Sequence, residues 1–163
     1  MSLDVDLLVW VGRRRRARFD PAVARFSALG DNGHGWVALF VVLAVVRSDP
    51  RLAVVGAATV WGTLAVNSVV KRLVRRPRPA GAGIAATLVR APSSHSFPSA
   101  HAAMSAAAAV VVVGLLPALT AVVVPLAVLM ATSRVYLAVH YPSDVVAGAV
   151  LGTALGVAVV AVV

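Results

Sequence analysis

The sequence predicts an all-α, polytopic transmembrane helical bundle, and three observations carry that expectation. Of 163 residues, 60% are hydrophobic and only 13% are charged, about half the charged share of an ordinary soluble domain. The mean hydropathy is +0.92. The apolar residues also gather into five runs near the roughly 20 residues that a spanning helix needs.

The runs are residues 35–46, which is short, then 52–70, 98–116, 120–139 and 144–163. The third is rich in alanine, and Pro125 lies inside the fourth. Gly148, Gly152 and Gly156 recur at helical spacing and permit close helix packing. Residues 1–34 differ. Leu7 to Trp10 precede Arg13 to Arg16 and Arg18, and Pro21 opens a stretch with Val23, Phe26 and Leu29 on one side. That pattern predicts one or two amphipathic helices at the membrane interface, or a degenerate sixth span. Asp31-Asn32-Gly33 makes a turn into the first run. The chain thus divides into an interfacial segment, 1–34, and a membrane domain, 35–163. The start carries Asp4 and Asp6 where a cleavable signal peptide carries basic residues.

The net charge of +9 suits an anionic partner. A nucleic-acid binder has no use for so much apolar sequence, so the expected partners are a phosphorylated lipid and the bilayer, with no nucleic acid. The absence of cysteine removes disulfides and thiolate metal ligands. The sequence sets no oligomeric state.

Ionisable residues at membrane depth are costly and mark function. Lys71 ends the second run, and Arg78 follows in a long basic loop, residues 71–97. Ser99 and His101 open the third run, Arg134 lies near the end of the fourth, and His140 and Asp144 open the fifth. Because successive spans alternate in direction, all these ends fall on one face of the membrane. The set holds cations, two histidines, one carboxylate and a hydroxyl. It has too few carboxylates for a divalent-metal site and suits a phosphate. The start of the third helix, with Pro98 in its first turn, adds backbone N–H groups for an anion. Asp144, four residues after His140, can hold one imidazole nitrogen and free the other for attack. His101 can act as general acid.

These residues fall into three motifs: KRLVRRPRP from Lys71 to Pro79, PSAH from Pro98 to His101, and SRVYLAVHYPSD from Ser133 to Asp144. Together they resemble the type 2 phosphatidic acid phosphatase family over roughly residues 35–163. Ala100 departs from the glycine usual at that place and bears on pocket shape. The resemblance implies a metal-independent membrane phosphatase without cofactor. It makes His140 the nucleophile that forms a phosphohistidine, Asp144 its orienting partner and His101 the proton donor. Lys71, Arg78, Ser99 and Arg134 hold the phosphoryl group. Substrates implied are lipid phosphates: phosphatidic acid, phosphatidylglycerophosphate or a polyprenyl-linked phosphate such as polyprenyl-phosphoribose phosphate. Recycling of undecaprenyl diphosphate, phosphotransfer to another acceptor and lipid binding without turnover are the alternatives.

Other polar residues have plainer readings. Arg72, Arg75 and Arg76 read as lipid-headgroup contacts, His95 as a solvated loop histidine and Ser133 as a helix-end hydroxyl. Trp36 and Trp61 read as interface or packing residues, Tyr136 and Tyr141 as packing, and Asn67 as a bond to the loop or a neighbouring helix. With five spans, thirteen of the fifteen Lys and Arg lie on the side of the site, and only Arg47 and Arg51 lie opposite. The positive-inside rule then puts the site on the cytoplasmic face of a plasma or inner membrane.

Overall fold

The computed structural model describes residues 2–90 and 93–163. Among them, all regular structure is helical: α1 (Leu3–Arg14), α2 (Asp20–Ala28), α3 (His34–Val46), α4 (Arg51–Val74), α5 (Ala100–Leu115), α6 (Thr120–Tyr136) and α7 (Pro142–Val160), with short 3₁₀ turns at Ala17–Phe19, Asp31–Gly33 and Pro117–Leu119.

Among the described residues, three helical stretches are long and apolar enough to cross a membrane: Arg51–Val74, Pro117–Tyr136 and Pro142–Val160. A fourth forms if Ala17–Ala28 and Asp31–Val46, bent by 47°, make one broken span. The bend has a local cause. Asn32 (φ 51°) and Gly33 (φ 75°) are left-handed, where glycine pays no Cβ penalty. At Gly33 a Cβ would also meet the Val60 side chain. The expected run 98–116 becomes a helix of only 16 residues. Pro98 lies outside it, two residues before Ala100, and Ser99 is the N-cap in its place. Leu116 leaves the helical region (φ −138°, ψ 67°) just before Pro117. Conversely α4 continues past the expected Val70, so Lys71 sits inside its last turn. Helix α6 stops at Tyr136, short of the expected Val139, and a tight 137–141 connection leads into α7.

Helix α5 is the hub. It packs on α4, α6 and, most extensively, α7. The glycines of α7 explain that intimacy: a Cβ at Gly148, Gly152 or Gly156 would run into the carbonyl of Ser99, Ala103 or Ala107 respectively. The glycine series therefore packs backbone on backbone, as small-residue stripes do in membranes. On the other side of α5, Trp36, Phe40, Val60, Met104 and Val112 form the apolar core. Trp36 is a core residue, with its indole N–H donating to Ser105 Oγ at 2.9 Å, whereas Trp61 is exposed. Val122, Val128 and Leu129 on α6 and Val146, Val150 and Val157 on α7 are exposed. Such an apolar outer face belongs in lipid rather than water.

The helix ends sort to two poles. Arg47, Arg51, Leu116 and Val163 surround one cavity. Lys71, Ala100, Arg134 and His140 surround another. The chain alternation therefore does gather the ionisable residues at one end of the bundle.

Candidate active site

The loop between α6 and α7 is built to aim His140. Helix α6 closes with the N–H of Ala138 on Val135 O (3.0 Å) and that of Val139 on Arg134 O (3.1 Å), the two bonds of a Schellman end. Its left-handed position is Ala138 (φ 57°), where glycine is usual. Two residues on, His140 turns inward and is 2% exposed. Tyr141 then caps α7, and Asp144 in the first turn accepts the Tyr141 N–H at 2.9 Å.

The tautomer of His140 follows from its neighbours. Arg78 Nη1 lies 3.1 Å from His140 Nε2, and a guanidinium can only donate. Nε2 must accept, so its lone pair is free of a proton and Nδ1 carries the hydrogen. Nδ1 lies 3.5 Å from Asp144 Oδ2 and 3.5 Å from Ser96 Oγ. Ser96 in turn donates to Asp144 Oδ2. Burial pulls the His140 pKa down to about 4, the Asp144 hydrogen bond opposes this, and Arg78 and Lys71 add to the lowering. The imidazole is neutral at neutral pH.

Around it stand the cations. Arg78, at 8% exposure, is fixed by the carbonyls of Val139 (2.7 Å) and Ser94 (2.8 Å). Lys71 Nζ donates to His95 O at 2.7 Å. Arg134 donates from Nη1 to Ser27 Oγ. Its Nε and Asn67 Oδ1 are the buried side-chain polar atoms without a hydrogen-bond partner among the described residues. His101 Nε2 faces two acceptors, Ser27 O at 3.3 Å and Asp31 Oδ1 at 3.2 Å, so it carries a proton. Lys71, Arg78, His101, Arg134 and His140 line one cavity of about 590 Å³. Three buried cations, with exposed Arg72 at the rim, a proton-bearing imidazole and an unprotonated imidazole nitrogen around one cavity can bind a phosphoryl group and attack it.

The PAP2 superfamily profile matches residues 50–163. The chain belongs to the PAP2 superfamily. Over 140 residues it is 42% identical to decaprenylphosphoryl-5-phosphoribose phosphatase of Mycobacterium tuberculosis, covering 83% of this chain and 76% of that one. The enzyme of the same name from Mycolicibacterium smegmatis is 45% identical over 127 residues, covering 75% and 67%. Among solved structures, the PAP2-type phosphatidylglycerolphosphate phosphatase of Bacillus subtilis superposes with a TM-score of 0.80 at 26% identity, over 96% of this chain and 82% of that one. LpxE of Aquifex aeolicus shares the fold, with a TM-score of 0.81 at 24% identity over 99% and 96%.

Of the seven expected site residues of this PAP2 protein, five meet in the cavity and two stand behind it. Asp144 is fully buried and reaches the cavity through His140. The Ser99 hydroxyl accepts the Ala102 N–H at the start of α5 (3.5 Å), while the Ser99 N–H donates to Asp144 O at 2.9 Å. Arg76 has a role the sequence reading did not give it: it donates to Asp144 Oδ1 at 2.7 Å and to Asp4 Oδ2 at 2.8 Å. Arg72 and Arg75 do stay exposed. Ser27, Asp31 and Ser96 escaped the sequence reading, since each belongs to no motif and becomes a partner only through tertiary contact. His95 is exposed yet lines the cavity, and its carbonyl holds Lys71. Asn67 Nδ2 bonds Pro98 O at 3.4 Å, outside the cavity.

Proposed function

We propose that this protein is an integral-membrane, metal-independent lipid phosphatase that removes the sugar phosphate of a polyprenyl-linked phosphoribose. The observation that carries the chemistry is the unprotonated Nε2 of His140, which accepts from Arg78, beside a cavity ringed by Lys71, Arg78 and Arg134. The substrate class is supported by the relatives that share 42% and 45% of their aligned residues with this chain.

In this mechanism the phosphomonoester enters the cationic cavity, Arg78 turns its donor from His140 Nε2 to a phosphoryl oxygen, and the freed Nε2 attacks phosphorus. An N–P bond forms as the P–O bond to the sugar breaks, and the leaving alkoxide takes a proton from His101, which enters the step as the imidazolium beside the bound phosphate and leaves it neutral. The hydrogen on Nδ1 stays, and Asp144 balances the charge that develops on the ring. His101 then takes a proton from water as the water oxygen attacks phosphorus. The N–P bond breaks, and inorganic phosphate leaves with His140 restored. Lys71, Arg78 and Arg134 stabilise the charge on the equatorial oxygens throughout, the main work of a phosphoryl-transfer site. The partnerless Arg134 Nε supplies a donor for one of them. Ser99 contributes by capping the helix start that faces the phosphate rather than from the cavity lining.

The membrane arrangement proposed has five spans, α3 to α7, with residues 1–34 as an interfacial segment and 35–163 as the catalytic domain. The site faces the cytoplasm, supported by the excess of Arg and Lys at its pole. A reporter fused after Val163 is then external, and a cytoplasmic reporter would contradict this topology.

The activity is tested by phosphate release from purified protein in detergent, with chelator present. The panel holds polyprenylphosphoryl-5-phosphoribose, phosphatidic acid, phosphatidylglycerophosphate and undecaprenyl diphosphate. Release from the phosphoribose lipid above the others is expected. Preference for undecaprenyl diphosphate would overturn the substrate assignment, and chelator sensitivity would overturn the metal-free mechanism.

A further inference from the structure

Behind the carboxylate that orients His140 lies a second layer outside the three motifs. Asp144 is 0% exposed, and its Oδ1 is held by Arg76 Nη1 at 2.7 Å. The same nitrogen donates to Ser143 Oγ at 2.7 Å, and the guanidinium stacks 4.0 Å from the centre of the Tyr141 ring. The other arm, Nη2, donates to Asp4 Oδ2 at 2.8 Å. Asp4 also accepts from the Ser143 N–H at 2.9 Å through Oδ1 and from the Ser143 hydroxyl. One carboxylate on α1 therefore grips both Arg76 and the first turn of α7, across 139 residues of sequence.

We propose that Asp4 and Arg76 are positioning residues of the hydrolytic reaction: α1 locks the arginine that holds Asp144, and through Asp144 the imidazole of His140. This rests on the phosphatase reading above. Ser96 and the Tyr141 N–H hold Oδ2 of Asp144, but its Oδ1 and the charge of the buried carboxylate depend on Arg76. Arg76 has a free choice of rotamers unless both arms are engaged; Asp4 and the Tyr141 ring remove that choice. The Asp4 and Arg76 side chains are 18% and 29% exposed, so the pair keeps contact with water, which limits what it adds to stability. Geometry at the site, rather than stability, is what the pair supplies. Asp4 also lies outside residues 50–163 that the family profile matches, so this support comes from the N-terminal segment. The plainer role of Asp4, an acidic residue in the first turn of α1 complementing the helix dipole, leaves the reaction untouched.

The test uses the full chain in detergent with the lipid phosphate that the unaltered protein hydrolyses best. Asp4→Asn is expected to lower kcat on the order of tenfold, within the span of coupled contacts, with KM unchanged and the melting temperature held. Asp4→Glu restores part of the loss. Arg76→Gln lowers kcat at least as far, and adding Asp4→Asn to it costs clearly less than it does alone. A kcat for Asp4→Asn equal to that of the unaltered protein would overturn the proposal, as would an equal loss in the Arg76→Gln background or a loss matched by unfolding. An unaltered protein that hydrolyses no lipid phosphate overturns the phosphatase reading, and this proposal with it.

Discussion

Arg78 Nη1 sits 3.1 Å from His140 Nε2 while also donating to the carbonyl of Val139, one residue before that histidine, at 2.7 Å. One guanidinium nitrogen thus fixes both the backbone that carries the nucleophile and the position of its lone pair. Arg78→Lys is expected to break this double role, since an ammonium offers no planar fork. Loss of one such donor costs about 3 to 4 kcal/mol in the barrier, so kcat should fall by two to three orders of magnitude. Steady-state phosphate release measures it; a variant within a fewfold of the unaltered protein contradicts the role.

Asp31 stands 3.2 Å from His101 Nε2, with its side chain 62% exposed. It steadies the proton on His101, and its exposure keeps the effect small. Asp31→Asn is expected to lower kcat by a few fold, well below the loss from replacing His101 itself. Comparing the two variants under saturating substrate checks the ranking.

Ala138 occupies a left-handed backbone position (φ 57°) at the end of α6, where a Cβ costs about 1–2 kcal/mol. Ala138→Gly relieves that cost but gives the unfolded chain more freedom. A net gain of about 0.5–1 kcal/mol is expected from the two opposing effects, read as a raised melting temperature in detergent with activity retained. A lowered melting temperature would count against the assigned strain.

The His140 pKa near 4 has a direction that can be checked. An unfolded histidine binds its proton near pH 6.5, whereas the folded one stays neutral until about pH 4. Between those values the unfolded chain holds the extra proton, so His140 makes stability rise with pH across that window. Imidazole NMR, with His140→Asn to assign the signal, should show a midpoint well below 6.5. An ordinary midpoint would contradict the buried, neutral nucleophile.

Much of the site was legible because it lies at helix ends and within short motifs. Lys71, Arg78, His101, Arg134 and His140 are charged or imidazole residues interrupting apolar sequence, and apolar sequence makes such residues conspicuous. What stayed hidden was their support. Ser96 and Ser27 are small hydroxyls with nothing to distinguish them until α7 and α6 pack beside them. Arg76 hid among four basic neighbours, Arg72, Lys71, Arg75 and Arg78, and only its contact with Asp144 sets it apart. Helix lengths were the other weak point. Hydropathy marked residues 98–116 as one run, but Ser99 caps α5 late and the chain turns at Leu116 before Pro117, which hydropathy cannot see. The pairing of Asp4 with Ser143 joins the first helix to the start of the last, and no local pattern encodes it.

The central claim, that His140 attacks phosphorus, is tested most directly by rapid quench with a lipid substrate labelled in its terminal phosphate. The unaltered protein should yield a labelled phosphoenzyme that is acid-labile and base-stable, as a phosphoramidate is, and His140→Ala should yield neither phosphoenzyme nor turnover. Turnover by His140→Ala at the rate of the unaltered protein would contradict the account.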